Sequence, residues 1–349
     1  MQFFSLSLSV LLEQCLSSRK IIKQQSYKDY YTSIAVVFSL YFETMSEFSI
    51  TETYLKFLEE DPEMTMPIAA IEALVTLLRV ENPKTAAEMI NTIKSAASEL
   101  TQSIPNSISL KAGCDIFMRF VLKNTQLYGD WESCKQHLIE NGQLFVSRAK
   151  KTRDKVAQIG VDFISDDDII LIHGFSRAVY SLLKYAAEKF IRFRCVVTES
   201  RPTTQGKQLY TLLQEKGIPV TMIVDSAVGS IINQVDKVFV GAEGVAESGG
   251  VINIVGTYSI GVLAKNARKP FYVVTECHKF VRMFPLSPND LSMPGQSLDF
   301  TRKNEESQEI LGGPTLDYTA QEYITALITE LGVLTPSAVS EELIKMWYD

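Results

Sequence analysis

The sequence predicts an α/β protein with an all-α N-terminal domain and a parallel, doubly wound sheet in the C-terminal domain. Two observations lead to this prediction. Up to about residue 160, apolar residues recur every three or four positions, as on the buried face of an amphipathic helix. Beyond residue 160, short and almost wholly apolar runs alternate with helical stretches, which is typical of parallel strands that are covered on both faces.

Composition and charge limit the function classes. The 349 residues carry 34 basic and 41 acidic side chains, which gives a net charge of −7 and leads us to expect no direct nucleic-acid partner. The five cysteines are scattered without a C-x-x-C pair, and there are only three histidines, so neither a disulfide framework nor a metal site is expected. This cysteine usage is typical of a reducing compartment, and we expect a cytosolic protein without a metal or a cofactor.

Residues 1–44 differ from the rest of the chain, because they mix aromatic and polar residues without a steady period. The apolar run over residues 3–12 has the length of a signal-peptide core, but no basic segment precedes it. No apolar run reaches the length of a membrane span, so no membrane partner is expected. Two interpretations stay open: an extension upstream of a protein that begins near Met45, or an amphipathic arm. We expect that removal of residues 1–44 leaves folding and assembly unchanged.

The helical domain is predicted over residues 45–160. Pro67 suits the first turn of a helix whose apolar positions begin at Ile68. In the last predicted helix, Asp130 is a candidate N-cap and Gly160 marks the end. Two further helices are predicted over residues 84–102 and 109–126, and the last helix is predicted over residues 130–158.

The last of these helices carries a basic run. It consists of Arg148, Lys150, Lys151, Arg153 and Lys155. Such a run can contact an acidic partner, but near the C-terminal end of a helix it is more often a solvated face that complements the helix dipole. We therefore interpret it as a solvated face.

The C-terminal domain is predicted over residues 165–349. Helical stretches between its strands imply right-handed crossovers and a Rossmann-like sheet. Its strands are predicted over residues 169–173, 194–199, 220–225, 237–243 and 271–276. The stretch 285–318 is rich in Pro, Gly and charge and is predicted to be a loop, followed by helices over 320–331 and 337–347.

Polar and glycine-containing turns follow four of the strands. They read H-G-F-S-R, T-E-S-R-P-T-T-Q-G, D-S-A-V-G and G-A-E-G-V-A-E-S-G-G-V-I-N-I-V-G-T. Because the C-terminal ends of parallel strands meet at one edge of a sheet, these turns gather in a crevice where ligands bind. Candidate residues for binding a phosphorylated small molecule there are His173, Ser176, Arg177, Arg201, Gln205, Gly206, Asp225, Glu243, Asn253, Gly256 and Thr257.

Anion capture is the chemistry that these turns indicate. Arg201 can clamp a phosphate, Gln205 can donate a hydrogen bond to it, and backbone N–H groups near Gly206 and Gly256 can cradle it at helix N-termini. The alternative is that the glycines only permit tight turns and that Arg201 pairs with Glu199.

Catalytic motifs are missing from the sequence. There is no G-x-G-x-x-G after the first strand, no G-x-x-x-x-G-K-[ST] and no G-x-S-x-G. Asp225 and Glu243 are either an acid/base pair or helix caps. His173 is expected to make ordinary hydrogen bonds, and Cys195, inside an apolar strand, to be a buried and inert thiol. No catalytic residue is therefore assigned.

Several longer motifs resemble those of a known family. V-G-A-E-G-V-x-E-x-G-G-x-I-N-x-x-G-T, T-E-S-R-P, P-F-Y-V-V-T-E and L-G-V-L-T-P-S-A-V-S-E-E-L-I-K are similar to the alpha subunits, of the budding-yeast type, in the initiation factor 2B family. These alpha subunits form one superfamily with the beta and delta subunits and with the isomerases of methylthioribose 1-phosphate and ribose 1,5-bisphosphate. The similarity runs from about Met45 to Asp349.

The resemblance implies a regulatory subunit of the guanine-nucleotide exchange factor for initiation factor 2. In that role it makes exchange sensitive to phosphorylation of the alpha subunit of factor 2. The implied partners are the beta, gamma, delta and epsilon subunits of factor 2B, the factor 2 alpha subunit, preferentially phosphorylated, and a second copy of this chain. The homodimer would form through the C-terminal domain, with residues 331–348, including Trp347 and Tyr348, as a contributor.

The same resemblance implies that the isomerase machinery is lost. The catalytic cysteine of T-H-C-N is matched by Gly174, the catalytic aspartate of G-A-D-R by Glu243, and the lysine of N-K-I-G-T by Ile254. The motif R-P-x-x-Q-G is retained at residues 201–206. A pocket is therefore expected without isomerisation. The alternatives are a sensor of sugar phosphates or nucleotides, and an active aldose–ketose isomerase.

Overall fold

The computed structural model describes residues 48–61, 63–81, 83–104, 108–125, 131–285 and 314–348. The extension over residues 1–44 and the cap residue Asp130 lie outside these ranges. Residues Ile50–Asp349 form one compact unit, and its division near residues 160–165 stays a prediction. Within the described ranges, no helix is long and apolar enough to cross a membrane.

Five helices make up the N-terminal part. They are α1 (Ile50–Glu60), α2 (Met66–Val80), α3 (Ala86–Ser103), α4 (Ile108–Thr125) and α5 (Trp131–Gly160). The predicted ends of α3, α4 and α5 each lie within two residues of these bounds. Pro67 lies in the first turn of α2, as predicted, and the Thr85 hydroxyl caps α3 by accepting from the N–H of Glu88. Most residues of α2 are themselves apolar and buried, which makes it the central helix of this part.

The longest helix, α5, joins the helical part to the sheet. Gly142 lets α5 approach α2 closely, since a Cβ atom there would lie 2.4 Å from the side chain of Val75. At the other end of α5, Val156 and Ala157 belong to the core beneath the sheet. One continuous helix therefore packs into both halves of the fold.

The basic run of α5 is only partly the predicted solvated face. Arg148, Lys151 and Lys155 are exposed, but Arg153 is buried with a relative exposure of 7%. The prediction is wrong for Arg153 because this residue continues the buried stripe of Val146, Ala149 and Val156 at three- and four-residue spacing.

Eleven strands form two sheets in the described part of the chain. The larger has seven strands: β1 (Ile169–His173), β2 (Arg194–Thr198), β3 (Val220–Ile223), β4 (Lys237–Val240), β7 (Phe271–Val274), β10 (Ala326–Thr329) and β11 (Gly332–Leu334). The smaller has four: β5 (Gly244–Ala246), β6 (Val251–Ile254), β8 (Phe280–Val281) and β9 (Leu316–Thr319). The orders are β11-β10-β7-β4-β1-β2-β3 and β8-β5-β6-β9.

The larger sheet is parallel except at β11, and helices cover both of its faces. Ile170 and Ile172 pack with helices α5, α6 (Arg177–Glu188) and α7 (Gln205–Glu215), whereas Leu171 points into the opposite core. That second core includes residues of α8 (Val228–Ile231), α9 (Thr257–Asn266) and α10 (Val339–Tyr348). The alternation explains the apolar strands and confirms the predicted fold class.

Two predictions about the strands and helices are wrong. The predicted strand 237–243 ends at Val240, and the chain resumes as β5 in the smaller sheet, which the sequence did not indicate. The predicted helix over 320–331 is instead strand β10 and the start of the hairpin to β11. The run A-L-I-T is buried on both faces, and periodicity alone cannot distinguish such a run from a helix. Of the predicted loop 285–318, residues 286–313 lie outside the described ranges and Leu316 begins β9.

Candidate ligand site

A cavity of about 300 Å³ lies between the helical part and the C-terminal ends of the strands. The start of α2 and the start of α4 form one wall, and the turns after β1, β4 and β7 form the other. Five predicted site residues line this cavity: Ser176, Arg177, Gln205, Glu243 and Asn253. It also includes Ser109, Glu276 and Lys279, which the sequence analysis did not select.

Charged groups concentrate around this cavity, and we name Arg153, Arg177, Glu243, Glu276 and Lys279 the cavity cluster. The Glu276 carboxylate is almost fully buried, and its Oε1 accepts from Arg153 Nε at 3.1 Å. Its Oε2 lies 3.8 Å from Lys279 Nζ and has no hydrogen-bond partner among the described residues. Burial alone would raise the pKa of Glu276, but the charges of Lys279 and Arg153 lower it to about 2.

Arg177, at the start of α6, is the second incompletely paired group. Its guanidinium is partly buried and lines the cavity, and the described residues contain no carboxylate within 4 Å of it. Burial and the nearby Arg153 lower the pKa of Arg177, while Glu63, Glu276 and Glu243 oppose this shift. A cation and a buried carboxylate oxygen that both lack a full set of partners can bind a ligand that carries an anionic group and hydrogen-bond donors.

Further contacts tie the helical part to the strand ends around the cavity. Arg153 Nη1 donates to Glu63 Oε2 at 2.5 Å, so this guanidinium bridges the α1–α2 connection and Glu276. His278 Nε2 lies 3.3 Å from Thr65 Oγ1. Burial lowers the pKa of His278 to about 4, so its ring is neutral at pH 7.

Glu243 is held by a residue of the helical part. The Ser109 hydroxyl lies 2.9 Å from Glu243 Oε2 and also contacts the Glu243 carbonyl oxygen. Asp225, the other carboxylate of the predicted acid/base pair, contacts different groups, because its two oxygens accept from the N–H groups of Ser200 and Arg201 at 2.9 and 2.8 Å. It does not cap the helix that follows it.

Residues 199–204 of the turn after β2 do not line the cavity, although Gln205, the first residue of α7, does. Arg201 Nη2 is 2.9 Å from Glu199 Oε1, and the Arg201 side chain is 57% exposed. Arg201 was interpreted either as a phosphate clamp or as a partner of Glu199, and the structure shows the ion pair with Glu199. We name Glu199, Arg201 and Asp225 the turn cluster; Arg201 pairs with Glu199, and both carboxylate oxygens of Asp225 accept from backbone N–H groups of this turn.

His173 has a hydrogen-bond partner on each ring nitrogen. Nε2 lies 2.9 Å from the Val255 carbonyl, which can only accept, so Nε2 carries the proton and Nδ1 accepts from the Thr198 hydroxyl at 2.6 Å. Burial lowers the pKa of His173, which favours this neutral ring, although Val255 and Asp225 oppose the shift. Cys195 is buried too, and burial raises the pKa of its thiol.

The glycines at two helix starts serve close packing. At Gly206, a Cβ atom would lie 1.8 Å from the Thr198 carbonyl oxygen, so the residue type is fixed by the approach of α7 to β2. At the start of α9, the N–H groups of Gly256 and Tyr258 donate to Asp317 Oδ2 at 2.7 and 3.0 Å. The chain's own carboxylate therefore occupies the helix end at which the sequence predicts a phosphate. Burial raises the pKa of Asp317 to about 6.

Two other predicted residues have structural contacts beside α9. Asn253 is buried, and its Nδ2 donates to Thr257 Oγ1 at 3.1 Å. The Thr257 hydroxyl donates in turn to the Ile254 carbonyl at 2.7 Å. Within the described ranges, no group of three or more His, Cys, Asp or Glu residues could hold a metal ion.

Comparison with known proteins identifies the family of this chain. The family model of the initiation factor 2 subunit family matches residues 59–336. The chain belongs to the initiation factor 2 subunit family. It is 40% identical over 309 residues to translation initiation factor eIF2B subunit alpha of Dictyostelium discoideum, covering 85% of this chain and 96% of that protein. It is 32% identical over 273 residues to ribose 1,5-bisphosphate isomerase of Archaeoglobus fulgidus, covering 76% and 83%.

A solved structure supports the fold of this family member. The eIF2B-beta2-delta2 complex from C. thermophilum contains a chain that superimposes with a TM-score of 0.68 at 17% identity, covering 85% of this chain and 94% of that one. The two cores therefore share the helical part followed by the α/β part.

Gly174 and Ile254 of this family member lie against each other. Gly174 has a φ of +79°, and its N–H donates to the Ser200 hydroxyl at 2.8 Å. A Cβ atom on Gly174 would lie 2.6 Å from Ile254 Cδ1. The space for a side chain at residue 174 is thus already filled by Ile254.

Three residues around the cavity were not predicted from the sequence: Arg153, Glu276 and Lys279. Glu276 follows the end of β7, so the rule that selected the turns after the other strands applied to it as well. Lys279 comes three residues later and donates to the Ala242 carbonyl at 2.8 Å. The signal for Arg153 was its place in the buried stripe of α5.

Proposed function

We propose that this chain is a regulatory, non-catalytic subunit of the guanine-nucleotide exchange factor for translation initiation factor 2. Its role is to make exchange sensitive to phosphorylation of the factor 2 alpha subunit. The observation that carries this proposal is the similarity to an eIF2B subunit alpha over 96% of that protein's length. The proposed partners are the beta, gamma, delta and epsilon subunits of factor 2B, the phosphorylated factor 2 alpha subunit and a second copy of this chain, in the cytosol.

Exchange assays on a reconstituted factor 2B complex test this role. With the chain present, we expect phosphorylated factor 2 to inhibit GDP release from the unphosphorylated factor. Without the chain, exchange on unphosphorylated factor 2 should continue and this inhibition should be lost. Equal inhibition of both complexes would contradict the proposal.

We propose that Gly174 removes isomerase activity from this chain. Gly174 has no thiol, and the side chain of Ile254 fills the space beside it. Glu243 accepts a hydrogen bond from the Ser109 hydroxyl, and the residue that matches the catalytic cysteine of the isomerases carries no thiol to act with it.

We predict no conversion of ribose 1,5-bisphosphate by the purified chain. The variant Gly174→Cys should also be inactive, because the left-handed backbone and Ile254 both oppose a side chain at residue 174. Product formation is measured by phosphorus-31 NMR. Turnover by the unmodified chain that disappears in Glu243→Gln would show that the isomerase activity persists.

A second candidate function is ligand sensing by the cavity, and the incompletely paired Arg177 and Glu276 favour it. Calorimetric titration with ribose 1,5-bisphosphate tests it. Binding should weaken about tenfold or more in Arg177→Met, since a charged hydrogen-bond donor is lost. Arg201→Met is the matched control and should bind like the unmodified chain. Equal affinities of all three proteins would contradict binding in this cavity.

A further inference from the structure

A second pocket, of about 330 Å³, lies inside the helical part between α2, α4 and α5. We name it the helical pocket. Among the residues that the structure describes, it shares no lining residue with the cavity at the strand ends. Its volume lies at the lower end of the range of about 300–1,000 Å³ that is typical of small-molecule sites in proteins. The helical pocket is therefore large enough for one small ligand.

The interior of the helical pocket is apolar. Phe117 and Phe120, one turn apart on α4, place their ring centroids 6.2 Å from each other. Phe117 and Ile71 of α2 are buried and form the floor, whereas Leu144 and Phe145 of α5 are exposed to 43% and 36% at the mouth. A ligand that covers such side chains removes apolar surface from water, which favours binding.

Three cations surround this apolar interior: Arg119 and Lys123 on α4 and Arg148 on α5. Lys123 and Arg148 are exposed, whereas one guanidinium nitrogen of Arg119, Nη1, is buried from solvent. None of the described residues that line the pocket is acidic. The chain as a whole has a net charge of −7, so the charge at this pocket is opposite in sign to that of the whole protein. The helical pocket therefore favours an anionic ligand.

The remaining polar groups narrow the class of ligand further. Besides the three cations, the described lining contains one polar side chain, Asn141, whose amide nitrogen contacts the ring and the carbonyl oxygen of His137. The described lining contains neither a carboxylate nor a hydroxyl group, so the hydroxyl groups of a sugar would find few acceptors there. An apolar chain with a single anionic group matches both the interior and the cations.

We propose that the helical pocket binds a medium-chain fatty acid, with its hydrocarbon chain against Phe117, Phe120 and Phe145 and its carboxylate beside Lys123 and Arg148. A chain of about ten carbons suits a pocket of this size. Each methylene group that leaves water contributes to affinity, and charged hydrogen bonds to the carboxylate fix the orientation of the ligand. This site goes beyond the proposed regulatory role and does not depend on it, because its test measures ligand binding to the chain itself.

Calorimetric titration of the full chain tests the class of ligand. Decanoate, used below the concentration at which it forms micelles, should bind with a micromolar dissociation constant. Octanoate should bind about 15-fold more weakly, because it lacks two methylene groups that contribute about fourfold each. Decanol, which keeps the chain and lacks the charge, should bind about tenfold or more weakly than decanoate. Decanol that binds as tightly as decanoate overturns the role of the cations, and no binding of decanoate at millimolar concentration overturns the site.

Charge reversal beside the helical pocket tests the location. The double variant Lys123→Glu/Arg148→Glu changes two exposed side chains and should bind decanoate about tenfold or more weakly. Lys94→Glu/Lys155→Glu is the matched control, because it changes the net charge equally at exposed residues that do not line the pocket. This control should bind decanoate like the unmodified chain, and both double variants should bind ribose 1,5-bisphosphate like it. Equal affinities of the two double variants for decanoate would contradict the proposal.

Alkylation of an introduced cysteine measures the location without a change of charge. Leu144 at the pocket and Leu55 on α1 are both 43% exposed, so Leu144→Cys and Leu55→Cys form a matched pair. The cysteines of the described ranges are buried, and mass spectrometry of the modified peptides follows each introduced thiol separately. Saturating decanoate should slow the reaction of Leu144→Cys with iodoacetamide several-fold and leave Leu55→Cys unchanged. Bound decanoate that slows neither reaction, or both equally, overturns binding in the helical pocket.

Discussion

The cavity cluster and the turn cluster both gather charge at the C-terminal ends of the strands, but they differ in burial and in pairing. In the turn cluster, Arg201 and Glu199 form an ion pair at the surface, and Asp225 accepts two backbone hydrogen bonds. In the cavity cluster, Glu276 is buried with one oxygen unpartnered, and Arg177 has no carboxylate within 4 Å among the described residues. Of the two clusters, the cavity cluster is therefore the one with groups that can bind a ligand.

The difference also bears on stability. An exposed ion pair contributes little, because water solvates both charges almost as well when they are apart. A buried carboxylate depends on its partners, since the loss of one of them leaves a charge without solvation. Substitutions that remove one charge from each cluster separate these two cases.

The largest effect is expected from Arg153→Met. This substitution removes the hydrogen-bonded partner of the buried Glu276 carboxylate and the bridge to Glu63. The free energy of unfolding, measured by urea denaturation, should fall by about 3–5 kcal/mol. Arg201→Met, which removes the exposed pair with Glu199, is the matched control and should cost at most about 1 kcal/mol.

A double variant sharpens this test. If the cost of Arg153→Met comes from the unpaired charge of Glu276, the added substitution Glu276→Gln should recover part of the lost stability. Purely additive losses in the double variant would show that Arg153 acts through packing and not through this charge.

The next effect is on pH dependence and concerns His278. Its pKa of about 4 in the folded protein lies below the ordinary value of 6.5, so the unfolded chain binds the proton more readily. This group therefore lowers stability as the pH falls from about 6.5 to about 4, by up to about 3 kcal/mol. Thr65, Glu276, Lys279 and Arg153 are the polar groups that surround or act on it.

Asp317 gives the opposite slope. Its pKa of about 6 when folded lies above 3.8, so its contribution to stability is lost as the pH rises from about 4 to about 6. His278→Gln removes the contribution of His278, so the stability of this variant should rise less with pH between about 4 and 6.5 than the stability of the unmodified chain. Urea denaturation between pH 4.5 and pH 7.5 measures both curves, and parallel curves for the two proteins would refute the assignment to His278.

A smaller effect is expected from Asp225→Ala in the turn cluster. The N–H groups of Ser200 and Arg201 lose their acceptor, but the Asp225 side chain is 30% exposed, so water can take its place and the cost should be about 1–2 kcal/mol. Thermal unfolding measures it. A loss as large as that of Arg153→Met would contradict the distinction between the two clusters.

Much of the fold could be predicted from the sequence, because period and burial pattern agree there. The five strands with almost wholly apolar runs begin where they were predicted, because helices cover both faces of the sheet, but four of them end one to three residues earlier than predicted. The run A-L-I-T at residues 326–329 was misassigned as helix because it has no polar residue to reveal its period. The smaller sheet was missed because V-F-V-G-A-E reads as one strand, while the chain actually leaves the sheet at Gly241.

Only part of the site could be predicted in the same way. Strand ends select the right sheet edge, so Arg177, Glu243 and Asn253 were found. The sequence does not show which charges find partners within their own turn, and Arg201 does so with Glu199. It also does not show that helix α5 crosses from one half to the other and brings Arg153 to the cavity, 123 residues before Glu276 in the chain.

The continuity of α5 has a mechanical consequence. A helix of 30 residues is about 45 Å long and bends little, so it acts as a lever arm. Gly160 packs against Leu182 and Ile328 at the sheet, and Gly142 packs against Val75 about 27 Å further along the axis. A tilt of about 5° at the sheet end displaces the Gly142 end by about 2 Å, which is the size of the helix shifts that switch subunit interfaces. A small tilt of α5 at the sheet would therefore move the helical part by a larger distance than it moves the sheet.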